Sequence, residues 1–464
     1  MTKDQAVVLP FPEEQEMEPE KSDFLDELIA GGYSPSEIHQ EVRKVLGEID
    51  LLKRENRWED IILLCHPIEE KLPLIADSDA AIPIYGEIVF ALCQLHRFEE
   101  AVSIGIKLVK EQPDNFNAHA QLAFVAYQAL IAHQNKEIIL PPEIRKKYLQ
   151  IAHSHFARAQ ALRPDGVTCF YRQGMLYKSI QCKFDRALPL FRQAVKNWES
   201  YDSEKKKARH QERKNYVKSL YQLSLCLFEE SKFQEALDAI RRCIDENAEP
   251  QYISNVNTYY TLGKILFYSK DLNGAVQALE RAAVEAEPQN EDYVFELLAR
   301  VLLSAGQVDR AYEVLSRIPP HVRRPYVLWT EADIAIAKGD INRARKVLIR
   351  AAERDRKGAH KAWIKLAKLE LRLSNFAEAL DYANRADQFF RQSFGNPYHE
   401  ALFWRAVVYI KTGKKAKAEQ CVETLHAFNP YYPHLRNLRR EIARMKDEQK
   451  SPRTESKPGD GEKP

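Results

Sequence analysis

One alanine recurs along this chain at a fixed distance from a second small residue, and that spacing restricts the fold more than composition does. Gly263, Ala332 and Ala367 each stand twelve positions before an alanine, namely Ala275, Ala344 and Ala379. A turn carrying Gly or Asn lies between, as at Asp271-Leu272-Asn273-Gly274 and Asn375-Phe376-Ala377-Glu378. Further small or apolar residues follow at Leu279 and Ala282, Leu348 and Ala351, and Ala383 and Ala386. Helix packing accounts for the layout. Two antiparallel helices joined by a short turn approach closely only where a small side chain faces the neighbouring backbone. Larger residues three and four positions away then fill the flanking grooves.

Aligning the chain on the second alanine gives Ala101, Ala152, Ala187, Ala236, Ala275, Ala311, Ala344, Ala379 and Ala418. An aromatic follows at Phe156 and Phe191, and a proline stands twelve residues past the alanine at Pro113, Pro164 and Pro430. In these features the chain resembles the tetratricopeptide repeat family, whose units are helix–turn–helix pairs of about 34 residues. The resemblance covers roughly residues 82–430 and implies an all-α, right-handed superhelical solenoid of about nine stacked repeats. Upstream, Asn56-Arg57-Trp58-Glu59-Asp60-Ile61 occupies the same frame with Ile61 in place of the alanine, a degenerate unit within 22–81 whose helix starts near Ser34 or Pro35. Asn135 to Lys147 and Glu199 to Lys214 stretch two of the units. Residues 431–450, amphipathic at Leu435, Leu438, Ile442 and Met445, read as the capping helix that an open solenoid end needs. The arm 1–21, acidic and carrying Pro10, Pro12 and Pro19, and the tail 451–464, which has no apolar residue, are both expected to be disordered. Phe24-Leu25-Asp26-Glu27-Leu28-Ile29 is a short apolar island next to the arm, suited either to packing on the first helix or to docking. Arg343-Ala344-Arg345 and Trp363 are also similar to half-a-TPR repeats of RNA-processing assemblies.

Composition supports this reading. The 464 residues are 45% hydrophobic and 29% charged, with only 16 glycines, which favours helices over turn-rich strands. A net charge of +2 supplies no global field for nucleic acid or membrane. No apolar run reaches the length of a signal peptide or a membrane span, so the expected compartment is the cytoplasm. Cys65, Cys93, Cys169, Cys182, Cys226, Cys243 and Cys421 are widely spaced, without a Cys-x-x-Cys, and read as small buried hydrophobes.

No catalytic constellation emerges: there is no Gly-rich phosphate loop, nucleophile elbow or His-Glu-x-x-His. His153 and His155, two apart, fall on different helix faces, which argues against joint metal ligation. The expectation is a chain that is not an enzyme and needs no cofactor or metal.

Stacked hairpins instead offer a concave groove lined by the first helix of each repeat. Three before, one after and four after the small residue are the groove positions. The partner-binding candidates there are Phe124, Tyr127, Tyr171, Tyr221, Phe228, Tyr260, Lys264, Phe267, Arg300, Trp329, Lys368 and Phe403. Rigid aromatics make good anchors for an extended peptide or a helix. The family's carboxylate clamp uses Asn one after the small residue. Phe124, Met175, Leu225, Lys264, Arg300, Asp333, Lys368 and Val407 stand there instead, which disfavours it. The expected function is a protein-interaction scaffold or adaptor with proteins or peptides as partners. The alternatives are a peptide- or ligand-sensing regulator and an RNA-associated scaffold using the basic insertion 203–214, although such a run is more often a solvated helix extension.

Overall fold

The structure, a computed structural model, describes residues 37–73, 75–76 and 81–445. The acidic arm, the Phe24–Ile29 island, the helix start near Ser34 or Pro35 and the tail 451–464 lie outside the described residues. Among the described residues are 23 α-helices, one π-helical turn and no strand. None of these helices is long and apolar enough to cross a membrane.

The chain divides into two compact units, the first ending at Ala282 and the second starting at Ala283. In the first, Glu37–Arg54 pairs with Trp58–Cys65, Ile82–Gln94 with Phe98–Glu111, and Phe116–Gln134 with Pro142–Leu162. Thr168–Met175, continued by the π-turn Leu176–Ile180, pairs with Phe184–Glu199, and Glu212–Glu229 with Phe233–Glu246. Asn255–Tyr268 precedes Leu272–Glu285, the helix in which the first unit ends. In the second unit Asp292–Ser304 pairs with Val308–Ser316, and Pro325–Ala337 with Ile341–Arg354. Ala359–Arg372 pairs with Phe376–Phe394, and His399–Lys411 with Lys415–Phe428. Leu435–Arg444 closes this unit, burying Leu435, Leu438 and Ile442 against Leu402, Cys421, Val422 and Leu425.

All nine aligned alanines have 0% exposure, and so has Ile61 in the leading hairpin. The small partner is needed just as strictly. A Cβ on Gly263 would lie 2.5 Å from Leu279 Cγ, and one on Gly174 would lie 2.6 Å from the Phe191 ring. Gly174 precedes Ala187 by thirteen residues rather than twelve, and the π-turn Leu176–Ile180 takes up the extra residue.

Each hairpin turn reverses through one residue with left-handed backbone, the usual way to end a helix. In the first unit these are Asn56, His96, Lys136, Cys182, Ser231 and Lys270; in the second they are Gly306, Gly339, Ser374 and Gly413. Except for Lys136, in the stretched turn, each sits five residues before the buried alanine or Ile61. Cys182 is therefore exposed at a turn, unlike the six buried cysteines, which corrects the reading of all seven as core residues.

The basic insertion is tied down. The single Tyr201 hydroxyl proton is shared between Glu212 Oε2 at 2.9 Å and the Asp165 carbonyl at 2.6 Å. Glu212 Oε1 accepts the backbone N–H of Val167 at 3.1 Å, at the start of the earlier helix Thr168–Met175. Lys205 and Arg209 both reach the Asp165 carboxylate and lie over the Tyr201 ring. Two of the six Lys and Arg of residues 203–214 are thus engaged in holding the insertion against the turn at Asp165.

Candidate binding wall

The first helix of each hairpin buries its small residue against the second helix. The positions three before, one after and four after it are left on the outer side of that contact. In the first unit the helices Thr168–Met175, Glu212–Glu229 and Asn255–Tyr268 are neighbours. They bring together Tyr171, Tyr221, Phe228, Tyr260, Lys264 and Phe267, all half-buried. Lys264 Nζ lies 4.6 Å from the Phe228 ring centre. Tyr268, missed by the register argument, meets Phe228 edge-on at 5.1 Å and Phe267 at 5.6 Å. Its signal was present in the sequence as the second of two adjacent aromatics at a helix end. The Tyr221 hydroxyl accepts from Thr261 at 3.2 Å, linking two of the three helices.

Lys178, on the π-turn beside this cluster, donates to the Gln222 side chain. Burial, with Lys264 acting in the same sense, pushes its ammonium down to about 8 against the opposing pull of Cys226 and Glu229. Burial likewise pushes the Tyr221 phenol up to about 12. The wall is thus a weakly solvated patch of rings with two amines among them. Such a surface can hold apolar side chains by ring contact and a carboxylate or carbonyl by the amines.

Two candidates in the same unit are placed differently. Phe124 and Tyr127 are 9% and 8% exposed. Arg172 covers the Phe124 ring at 4.2 Å, and Tyr127 packs edge-on against Phe156 at 6.4 Å. The longer helix Phe116–Gln134 is flanked closely enough that both rings are packed within the unit.

In the second unit four of the twelve positions in this register carry charge. Arg300 lies 3.6 Å from Glu296, whose other contact is Thr330 on the next first helix at 2.6 Å. Asp333 is 2.7 Å from Lys365, and Lys368 is 2.6 Å from Glu400. Lys368 also lies over Trp404 at 5.1 Å, and Lys361 over Trp329 at 5.7 Å. Burial raises the Glu296 carboxyl despite Arg300 and Thr330. Burial also works to raise Glu400, but Lys368 together with hydrogen bonds from Tyr398 and Trp404 brings it below the ordinary value. Phe403 is covered by Tyr432 at 5.6 Å and Trp404 at 5.1 Å. Arg300, Trp329, Lys368 and Phe403 are accordingly each engaged within the unit.

Among the described residues no group of three or more His, Cys, Asp or Glu side chains is arranged to hold a metal ion. His119 and His155 face each other Nδ1 to Nδ1 at 2.8 Å, but His119 Nε2 already meets the Pro113 carbonyl at 2.9 Å. The pair is a hydrogen-bonded clasp between the two helices of one hairpin.

Two models of the tetratricopeptide repeat match this chain, one over residues 266–329 and one over residues 330–394. No curated protein matches the sequence. Among solved structures, the chain is similar to the apo form of RapI, with a TM-score of 0.52 and 13% identity over 76% of this chain and 98% of that one. A tetratricopeptide repeat protein from Parabacteroides merdae gives a TM-score of 0.45 and 10% identity over 59% of this chain and 99% of that one. The complex of Naa15 and Naa10 bound to HypK-THB gives a TM-score of 0.46 and 13% identity over 90% and 72%. At these identities the likeness concerns the fold alone.

Proposed function

Because the chain belongs to the tetratricopeptide repeat family, we propose that it is an interaction scaffold holding a segment of a partner protein against the aromatic wall of its first unit. The family supports a protein-interaction role in general. The finer reading rests on one observation: Tyr171, Tyr221, Phe228, Tyr260, Lys264 and Phe267 lie together, half-buried, on three neighbouring first helices. Rings fixed on rigid helices lose little conformational freedom on binding, so each can act as an anchor for an apolar side chain. Lys264 and Lys178 add donors for the segment's carbonyl or carboxylate oxygens.

The test is a peptide-display library panned on the full chain. Peptides recovered this way lose at least about tenfold in affinity, roughly 1.4 kcal/mol, on Tyr260→Ala with Phe267→Ala while far-UV circular dichroism is retained. Unchanged affinity in that folded variant contradicts the reading. An RNA-associated role through residues 203–214 has less support, since Lys205 and Arg209 are already paired with Asp165.

A further inference from the structure

Between His321 and Lys357 the chain carries ten Lys and Arg against five Asp and Glu, in a protein whose total balance is 69 to 67. This excess is gathered rather than spread. The Glu331 side chain, 7% exposed on the helix Pro325–Ala337, receives three guanidinium groups. Arg323 Nη1 is 2.9 Å from Oε2, Arg343 Nη2 is 3.1 Å from Oε1 and Arg350 Nη2 is 3.5 Å from Oε2. One carboxylate needs one cation, so the point carries a surplus of two positive charges.

The three arginines differ in access. Arg323 is 10% exposed and also donates from Nε to the Ile318 carbonyl at 3.0 Å, so it is the structural partner of Glu331. Arg343 and Arg350 are 42% and 44% exposed, and each donates a single hydrogen bond to Glu331. A guanidinium has five donors in a planar fork, so each keeps donors that Glu331 does not use. Arg343 is further steadied over the Tyr312 ring at 5.4 Å. The nearby Lys338 is engaged by Asp309 at 2.7 Å.

We propose that Arg343 and Arg350, held on Glu331 beside Arg323, form a receptor for a single phosphoryl group carried on a partner polypeptide. A phosphorylated side chain carries close to two negative charges and three acceptor oxygens, matching the surplus charge and the paired forks. A carboxylate would offset only half of that charge. RNA calls for a stripe of cations with rings on which bases stack, whereas these charges converge on one point. Glu331 fixes the two forks before the ligand arrives, which lowers the ordering cost of binding. The site lies in the second unit and is independent of the aromatic wall.

Isothermal titration of the full chain at constant ionic strength tests it, using the pentapeptide Gly-Gly-phosphoSer-Gly-Gly, its unphosphorylated twin and a short oligouridylate. The phosphopeptide is expected to bind saturably and the twin not to bind. Arg343→Ala with Arg350→Ala should weaken the phosphopeptide at least about tenfold, while Arg323 remains to neutralise Glu331. Should that double variant fail to fold, Arg350→Lys keeps the charge but loses the fork, and a several-fold loss is expected there. Lys206→Ala with Lys207→Ala, on the basic insertion, should change nothing. Equal binding of the twin, wild-type affinity in both arginine variants, or tighter and steeply salt-dependent binding of the oligouridylate would each overturn the proposal.

Discussion

The two units use one repeat frame for different surfaces. Both bury an alanine at the same place in each repeat, with Ile61 standing there in the leading hairpin, and both turn through a left-handed residue five positions earlier in all but one hairpin. At the three outward positions of the first helix they diverge. The first unit places rings and amines there, with Lys264 over Phe228 and Tyr268 against both Phe228 and Phe267. The second places Glu296, Arg300, Asp333 and Lys368, which pair with Thr330, Lys365 and Glu400 on the same or the next first helix. Positions required for packing are therefore constant, while positions outside that contact are free to take on chemistry. A ring-rich face retains apolar surface for a partner, whereas opposite charges on neighbouring helices satisfy each other. The hairpin turns diverge as well: the left-handed residues of the six in the first unit are all non-glycine, while three of the four hairpin turns in the second use glycine.

The largest expected effect tests what the units share. Phe191→Ala in the first and Phe295→Ala in the second, both at 0% exposure, should each cost about 3–5 kcal/mol in chemical denaturation. A loss confined to one unit's variant would break the claim that both units rest on the same kind of packing. Gly174→Ala should cost about 1–3 kcal/mol, because the new Cβ meets the Phe191 ring at 2.6 Å. The turns should respond with opposite signs. Gly339→Ala places a side chain at a φ of 78° and should destabilise by about 1 kcal/mol, while Lys270→Gly should gain somewhat less than that. Melting curves in which both changes destabilise would show that the lysine is held by more than its backbone.

A pH effect belongs to the second unit. His360 is enclosed by Phe389, Phe390, Phe394 and Tyr398, and burial, with Lys361, pushes its imidazole down to about 4. The unfolded chain takes up this proton near its ordinary pKa of about 6.5. The folded state resists until about pH 4, so the contribution is full above the unfolded value and is lost as pH falls through that window. His360→Phe should flatten the fall in melting temperature over that range; an unchanged slope would assign it to other groups. The smallest effect concerns the ion-pair ladder. Asp333→Asn should cost under about 1 kcal/mol, because both partners of the Asp333–Lys365 pair are partly exposed.

Much of the fold was legible because close helix packing leaves a mark at single positions. Gly263 and Ala275 must be small whatever surrounds them. The thirteen-residue interval from Gly174 to Ala187 could likewise have revealed the π-turn. The wall was legible only in part. Register places Tyr260 and Phe267 outward, but whether a ring at that position stays accessible depends on neighbours far along the chain, such as Arg172 over Phe124. The Tyr201–Glu212–Asp165 knot and the three arginines on Glu331 were hidden for the same reason. Their partners sit 8 to 36 residues apart with no periodicity to betray them.

The central claim, that a partner segment is held by the aromatic wall of the first unit, is tested most directly by site-specific photocrosslinking. Benzoylphenylalanine is placed in turn at Phe267 and Ile336, which occupy the same register position four residues after Gly263 and Ala332. With a peptide selected on the full chain, the account predicts a crosslinked product from position 267 and little or none from position 336. Equal yields from the two positions, or product from 336 alone, would contradict it.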